Sequence, residues 1–142
     1  MGKEYKNACS MSPSQKQINN LLECYDKGQI LQAEQLSLSM TREFPKHPFG
    51  WKVLGVIYGM TGKYDEAVKV NQTAVLLSPQ DAVAHNNLAN TLQALGRFKD
   101  AKASYEKAIL IDPNLSEAYS NLGVTYKELG RLEDSIACFD KA

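Results

Sequence analysis

The feature that most constrains this 142-residue chain is an internal period of 34 residues. Glycines and prolines both recur at that spacing, at Gly28, Gly62, Gly96 and Gly130 and at Pro45, Pro79 and Pro113. A period of this length is typical of stacked helical repeats, in which each unit buries its apolar face against its neighbours. The spacing predicts four repeats, at 14–47, 48–81, 82–115 and 116–142, after an N-terminal extension at residues 1–13.

The apolar pattern inside each repeat is helical. Trp51, Leu54 and Tyr58 lie at i, i+3 and i+7, and the same pattern returns two repeats later at Tyr119, Leu122 and Tyr126. The recurring glycine lies where a first helix would end, and the recurring proline would stop a second helix. Each repeat is therefore predicted to be a helical hairpin. Ser12 and Pro13 are predicted to form the N-cap and first turn of the first helix.

These residues and spacings resemble the tetratricopeptide repeat. The second repeat carries seven of the family's positions and the fourth carries six: Trp51, Leu54, Gly55, Tyr58, Ala67, Ala74 and Pro79, then Tyr119, Leu122, Gly123, Tyr126, Phe139 and Ala142. Asn71 departs from the pattern where an aromatic residue is usual, and His85 and Leu92 do so in the third repeat. The resemblance implies an all-α, right-handed superhelical solenoid of helical hairpins, with four repeats, the first degenerate and the last truncated. The truncation suggests a fragment of a longer protein or an abrupt natural end.

Composition and charge exclude several classes of function. The 16 Lys and Arg residues balance 16 Asp and Glu residues, so no charge excess favours nucleic acid or an anionic membrane. No apolar run approaches the roughly 18 residues that cross a bilayer, and no secretory signal is present. Cys9, Cys24 and Cys138 are widely spaced, as in proteins of a reducing compartment. The protein is predicted to be cytoplasmic.

Motifs for catalysis, metals or cofactors are missing. His47 and His85 form no HExxH pair, and no phosphate-binding or nucleotide-binding glycine loop occurs. We therefore expect no enzyme activity, no metal and no cofactor. His85 occupies the repeat position of Trp51 and Tyr119, so it is predicted to pack at a helix interface. Cys138 is interpreted as a packing residue.

The inner face of a helical solenoid is lined by the first helix of each repeat, and such faces bind extended partners. The sixth position of the four repeats holds Asn19, Val53, Asn87 and Asn121, and Asn86 and Asn90 lie beside Asn87. Asn offers both a donor and an acceptor, so a ladder of Asn side chains is suited to a peptide main chain. The alternative is that these are only solvated helix residues. Apolar pockets are expected from Phe49, Val83, Ile18 and Met60.

The resemblance also indicates which type of peptide-binding groove to expect, because members of the family bind peptides in different ways. Members that clamp a peptide's C-terminal carboxylate use Lys and Asn on one repeat together with Lys and Arg on the repeat after next, and this chain lacks that set of side chains. Lys52 matches the first Lys of the set, but Val56 stands where the set has Asn. Asn at the sixth position is similar to the superhelical domain of O-linked N-acetylglucosamine transferases, in which an Asn ladder holds the substrate polypeptide. The predicted peptide-binding residues are Asn19, Lys52, Asn86, Asn87, Asn90 and Asn121.

The sequence thus predicts a non-catalytic scaffold for protein–protein interaction that binds an extended peptide or partner protein in its groove. One alternative is a substrate-recruiting fragment of a larger transferase, such as a glycosyltransferase. A second is a module that self-associates through its exposed C-terminal repeat. Nucleic acid and membranes are not expected partners.

Overall fold

The structure, a computed structural model, describes residues 12–142 as eight α-helices. The helices are α1 Gln15–Asp26, α2 Ile30–Glu43, α3 Pro48–Met60, α4 Tyr64–Leu77, α5 Ala82–Ala94, α6 Phe98–Ile111, α7 Ser116–Glu128 and α8 Leu132–Lys141. Each helix packs against the next, and the first helices α3, α5 and α7 also touch one another in order. The predicted all-α superhelical repeat fold is confirmed. Most of the predicted extension, with Cys9, lies outside the described residues.

The turns follow the sequence period. Gly28, Gly62, Gly96 and Gly130 all have positive φ, between 74° and 77°, and each lies between the two helices of a hairpin. This left-handed conformation ends a helix and is strained for residues with a Cβ atom. The second helices α2, α4 and α6 end two residues before Pro45, Pro79 and Pro113. Glycine therefore separates the two helices within each hairpin, and proline separates each of the first three hairpins from the next.

The start of α1 differs from the prediction. Ser14, not Ser12, is the N-cap, and its hydroxyl accepts a hydrogen bond from the Gln17 amide over 3.2 Å. The Gln17 side chain accepts from the Ser14 amide in return, over 2.8 Å. This reciprocal pair is a capping box, which needs Glu or Gln three residues after the cap. Gln17 supplies it for Ser14, so the prediction for Ser12 and Pro13 is wrong.

Two apolar clusters hold the hairpins together. One joins the first two repeats, and the other runs through the third and fourth repeats with Val68 of the second. Small residues let the two helices of a hairpin approach closely. A Cβ added to Gly55 would lie 1.9 Å from Oδ1 of Asn71, and one added to Gly123 would lie 2.8 Å from the Phe139 ring. Asn71 thus fills the place that Phe139 fills two repeats later.

No helix in the described part of the chain is long and apolar enough to cross a membrane.

Candidate functional site

The first helices of the repeats carry two adjoining depressions, which we call together the first-helix groove. One is lined by residues of α1, α3 and α5, and the other by residues of α5, α6 and α7. Helix α5 contributes to both through Val83, Asn87, Asn90 and Ala94. These positions are four, three and four residues apart, so they form one stripe along the helix. The two depressions are therefore parts of a continuous surface.

The first depression, which we call the apolar part, encloses about 240 Å³. Its lining is mostly aliphatic and aromatic, with one charged and one amide side chain: Leu22, Tyr25, Phe49, Lys52, Val53, Val56, Val83 and Asn87. Leu22 and Val83 remain well exposed although they are large and apolar. Of the expected pocket residues, Phe49 and Val83 lie here, whereas Ile18 and Met60 do not line it. This part offers a contact for apolar side chains.

Lys52, at the edge of the apolar part, is held by a carboxylate. Its Nζ lies 2.5 Å from Oδ2 of Asp81, and both side chains are partly buried. Asp81 is also the N-cap of α5, and its Oδ1 accepts from the Ala84 amide over 3.2 Å. Burial acts to raise the pKa of Asp81, but the hydrogen bonds from Lys52 and Ala84 outweigh it and leave that pKa lowered. Lys52 is thus paired inside the protein and oriented along the groove edge.

The second depression, the polar part, encloses about 420 Å³ and contains amide groups. Its lining residues are Asn90, Gln93, Ala94, Phe98, Tyr105, Asn121, Val124 and Glu128. Oδ1 of Asn90 lies 2.9 Å from Nδ2 of Asn121 and 2.5 Å from the Tyr105 hydroxyl. The structure thus joins two predicted residues, Asn90 and Asn121, across the boundary between the third and fourth repeats.

Two further side chains complete the network in the polar part. The amide group of Gln93 lies 2.9 Å from the Tyr105 hydroxyl and 2.9 Å from Oγ1 of Thr125. Thr125 also donates to the carbonyl of Asn121 over 3.0 Å. Burial, with a smaller contribution from the charge of Glu117, raises the pKa of Tyr105. The Tyr105 hydroxyl therefore keeps its proton at neutral pH and can donate a hydrogen bond.

Three more predicted binding residues, Asn19, Asn86 and Asn87, differ in whether they reach the groove. Asn87 lines the apolar part. Asn19 is exposed on α1, where it accepts from Gln15 over 2.9 Å, and it lies one turn from Leu22. Asn86 is only 2% exposed, and its Oδ1 has no hydrogen-bond partner among residues 12–142. Its side chain is rotated about 100° around α5 from that of Asn87, which takes it out of the groove.

A second polar connection joins the second and third repeats. Asn71 donates to Oγ1 of Thr91 over 2.9 Å, and Thr91 donates to the Asn87 carbonyl over 3.0 Å. Thr91 and Thr125 are one period apart, and both bond the carbonyl four residues earlier. The side chain of Asn71 thus reaches the next repeat, which explains an amide where the repeat pattern has an aromatic residue.

Sequence reasoning missed Gln93, Tyr105 and Thr125 as parts of the site. Tyr105 lies on the second helix of the third repeat, and its hydroxyl reaches the groove from there. One signal was present in the sequence: Thr91 and Thr125 are polar at a position where the second repeat has the buried Ile57. A recurring polar residue at an apolar repeat position indicates a hydrogen-bonded junction.

His85 is buried at a helix interface, as predicted. Its Nε2 lies 2.9 Å from the carbonyl of Pro79, and the Trp51 Nε1 donates to the carbonyl of Pro45, also over 2.9 Å. Because a carbonyl only accepts, His85 carries its proton on Nε2. His85 therefore makes the bond that Trp51 makes one repeat earlier.

Within residues 12–142, no group of three or more His, Cys, Asp or Glu side chains is placed to hold a metal ion. Cys24 and Cys138 are buried free thiols, and burial raises the pKa of Cys138. A thiol with a raised pKa is a poor nucleophile.

Comparisons with known proteins agree with this architecture. Family models described as "Tetratricopeptide repeat" match residues 82–115 and 104–137, and one described as "TPR repeat" matches residues 55–96. The comparison with curated proteins gave no match.

Among solved structures, several MamA structures share the fold. The "Crystal structure of MamA protein" aligns with a TM-score of 0.82 at 22% identity, over 88% of this chain and 68% of that one. The "Crystal structure of MamA" aligns with a TM-score of 0.80 at 23% identity, over 96% and 81%. MamA AMB-1 aligns with a TM-score of 0.77 at 25% identity, over 85% and 72%. These likenesses establish the helical repeat fold.

Proposed function

The chain belongs to the tetratricopeptide repeat family, and we propose that this interaction scaffold holds an extended peptide segment of a partner protein in its first-helix groove. The observation that carries the proposal is the continuity of the groove along α5. Val83 and Asn87 face the apolar part, and Asn90 and Gln93 face the polar part. An extended peptide lying along this stripe meets apolar surface first and amide groups next.

The two parts of the groove suit different parts of the ligand. The apolar part, of about 240 Å³, is below the roughly 300 Å³ of the smallest pockets for drug-sized ligands, so it suits one or two side chains. The amides of Asn87, Asn90 and Asn121 suit the main chain, because each can both donate and accept. The ligand is therefore a peptide with a bulky apolar residue next to a stretch bound mainly through its backbone.

Lys52 and Asn19 have supporting roles in this proposal. Lys52 is paired with Asp81, so a complementary acidic residue is not required in the ligand, although two of its three N–H donors remain for a peptide carbonyl. Asn19 lies one turn from Leu22 and offers a contact at the groove's edge. Asn86 is buried, so we leave it out of the binding surface.

The test uses a peptide selected on this domain from a phage-displayed library of random 12-residue sequences. Val53→Glu places a charge in the apolar part, and Leu110→Glu is the matched control at a side chain that is 75% exposed on α6. Burying an unpaired carboxylate against apolar groups costs several kcal/mol, so we expect the Val53 variant to bind at least about tenfold more weakly. The Leu110 variant should bind like the native domain. Equal binding by the native domain and the Val53 variant, with unchanged helical circular dichroism, would rule out the groove.

Self-association is a second candidate function, favoured by one observation on α8. Leu132, Ile136 and Phe139 are 62%, 61% and 45% exposed. At the repeat positions of Ile136 and Phe139, Val68 and Tyr105 are buried. We propose that a second copy of the chain covers this face. Sedimentation velocity at rising concentration should show dimers that Ile136→Lys removes and Leu110→Lys keeps; a monomer throughout would exclude the candidate.

A further inference from the structure

The side-chain amides of the polar part can be oriented in only a few ways, because each neighbouring hydroxyl has a single hydrogen to donate. The Tyr105 hydroxyl has one hydrogen, yet it lies within hydrogen-bond distance of both Asn90 and Gln93. Thr125 also has one hydrogen and two neighbours, the Asn121 carbonyl and Gln93. A side-chain amide can present either its oxygen or its nitrogen, and the surrounding bonds decide which. Two arrangements of these amides give the Tyr105 hydroxyl both a donor and an acceptor among its neighbours.

In the first arrangement, Gln93 turns its nitrogen toward the two hydroxyls. Tyr105 and Asn121 then donate to Oδ1 of Asn90, Thr125 donates to the Asn121 carbonyl, and Gln93 donates to both hydroxyl oxygens. In the second arrangement, Asn90 turns its nitrogen toward Tyr105 and Asn121, Asn121 turns its side-chain oxygen toward Asn90, and both hydroxyls donate to the Gln93 oxygen. The second arrangement leaves the contact between Thr125 and the Asn121 carbonyl without a hydrogen.

The distances favour the first arrangement. The 2.5 Å between Tyr105 and Asn90 suits an O–H···O bond, whereas N–H···O bonds span about 2.7–3.2 Å. Both contacts of Gln93 are 2.9 Å, which is ordinary for an N–H donor. Thr91, one period before Thr125, donates to its own i−4 carbonyl over 3.0 Å, so the same bond is expected at Thr125.

We infer that Tyr105 is a positioning residue that fixes the donor and acceptor order of the polar part. Asn90 presents its NH₂ group to the groove, while Gln93 presents its amide oxygen and Asn121 keeps its own oxygen free. This order matches a peptide main chain that accepts at a carbonyl from Asn90 and donates an N–H to Gln93 or Asn121. The inference rests on the proposed function. It adds Gln93 as a residue that determines which backbone groups of the peptide, C=O or N–H, can bind in the polar part.

Among residues 12–142, Tyr105 is the one residue at its repeat position that carries both an aromatic ring and a hydroxyl. The same position holds Ser37, Asn71 and Phe139 in the other repeats. Phe139 packs on Gly123 without a hydroxyl, so Tyr105→Phe keeps a ring that the fold already accepts at this position. The variant removes only the oxygen that orders the three amides.

The orientation is tested on the free domain by NMR. In the inferred arrangement, the side-chain NH₂ hydrogens of Gln93 show nuclear Overhauser effects to the Thr125 methyl group and the Tyr105 ring. In the other arrangement, the nuclear Overhauser effects to the Tyr105 ring come from the NH₂ hydrogens of Asn90. The NH₂ hydrogens of Gln93 then show no effect to the Thr125 methyl group. Observing the second pattern would overturn the inference and leave peptide binding to the groove intact.

The positioning role is tested with the selected 12-residue peptide. Tyr105→Phe should weaken binding about three- to tenfold, the range for one lost hydrogen bond, and should remove the Gln93 effects in the NMR spectrum. The control is Tyr126→Phe, because the Tyr126 hydroxyl bonds Glu106 at an exposed site over 3.0 Å. Equal affinity of the native and Tyr105 variant domains would refute the positioning role. If the Gln93 effects are present but Val53→Glu leaves binding unchanged, the proposed function fails and the orientation stands.

Discussion

Asn121 donates its side-chain amide to Oδ1 of Asn90 over 2.9 Å, and this bond crosses from the fourth repeat to the third. The same two residues are predicted to meet the peptide. In each of these two side-chain amides, one polar atom therefore joins the repeats, and the other polar atom remains available to a ligand. Substitutions at these positions are expected to change both the stability of the repeat junction and the affinity for a peptide.

The Asn90–Asn121 bond should appear as an energetic coupling. Asn121→Ala is expected to lower the free energy of unfolding by about 1 kcal/mol, because it removes one partly buried side-chain hydrogen bond, and Asn90→Ala by about 1–2 kcal/mol, because Asn90 also accepts from Tyr105. The double variant should lose less than the sum, by about 0.5–1 kcal/mol, since the bond is lost only once. Urea denaturation of the four proteins measures the coupling. Strictly additive losses would contradict the bond.

Peptide binding should depend on amides that lie in different repeats. Replacing Asn87 and Asn121 together with Ala should weaken the selected peptide by about 1–3 kcal/mol without unfolding the domain. Isothermal titration calorimetry measures the affinity, and circular dichroism checks the fold. The matched control is Asn114→Ala, in the exposed turn between α6 and α7. An affinity that is the same in the double variant and the control would remove the Asn ladder from the account.

Gly55 and Gly59 lie on the same helix and should respond in opposite ways to alanine. A Cβ at Gly55 would lie 1.9 Å from Oδ1 of the buried Asn71, whereas a Cβ at Gly59 meets nothing within 4 Å. Gly55→Ala should cost about 1–3 kcal/mol of unfolding free energy through overpacking. Gly59→Ala should gain about 0.5–1 kcal/mol from better helix propensity. Thermal denaturation of both variants compares them, and a Gly55 variant as stable as the Gly59 variant would be the contrary result.

The Lys52–Asp81 ion pair should make the stability of the fold depend on pH in the acidic range. The pKa of Asp81 is lowered from its ordinary value of 3.8, so its stabilising effect is present above that pH and is lost as the pH falls through the lower, folded-state pKa. Asp81→Asn keeps an N-cap side chain but removes the charge. The difference in melting temperature between the native protein and this variant should therefore shrink as the pH falls below 3.8. A difference that stays constant across this range would contradict the assignment, and Asp100→Asn, in an exposed ion pair, is the control.

Much of the fold could be predicted because glycine and proline mark the ends of helices directly in the sequence. Gly62 and Pro79 act through their own backbone geometry, so their effect needs no knowledge of neighbours. The inner position of Asn87 and Asn121 likewise follows from the period. The cap at Ser14 was missed because two serines were available, and only the partner at Gln17 distinguishes them.

The details of the groove could not be predicted in the same way. Asn86 and Asn87 are adjacent in sequence, but one is buried and the other lines the groove, because the neighbouring repeats pack over one side of α5. The network around Tyr105 depends on a side chain from a second helix reaching between two first helices. Such contacts are set by how the hairpins are rotated against each other, which a repeat pattern does not record.

The measurement that tests the central claim most directly is an amide-to-ester scan of the selected peptide. Each variant replaces one backbone N–H by an oxygen and leaves every side chain in place. If the first-helix groove binds the main chain, one or two esters should weaken binding to the native domain by about 0.5–1.5 kcal/mol, and an ester at an N–H that Asn121 accepts should lose this effect in Asn121→Ala. Equal affinity for all the esters would contradict main-chain recognition by these amides.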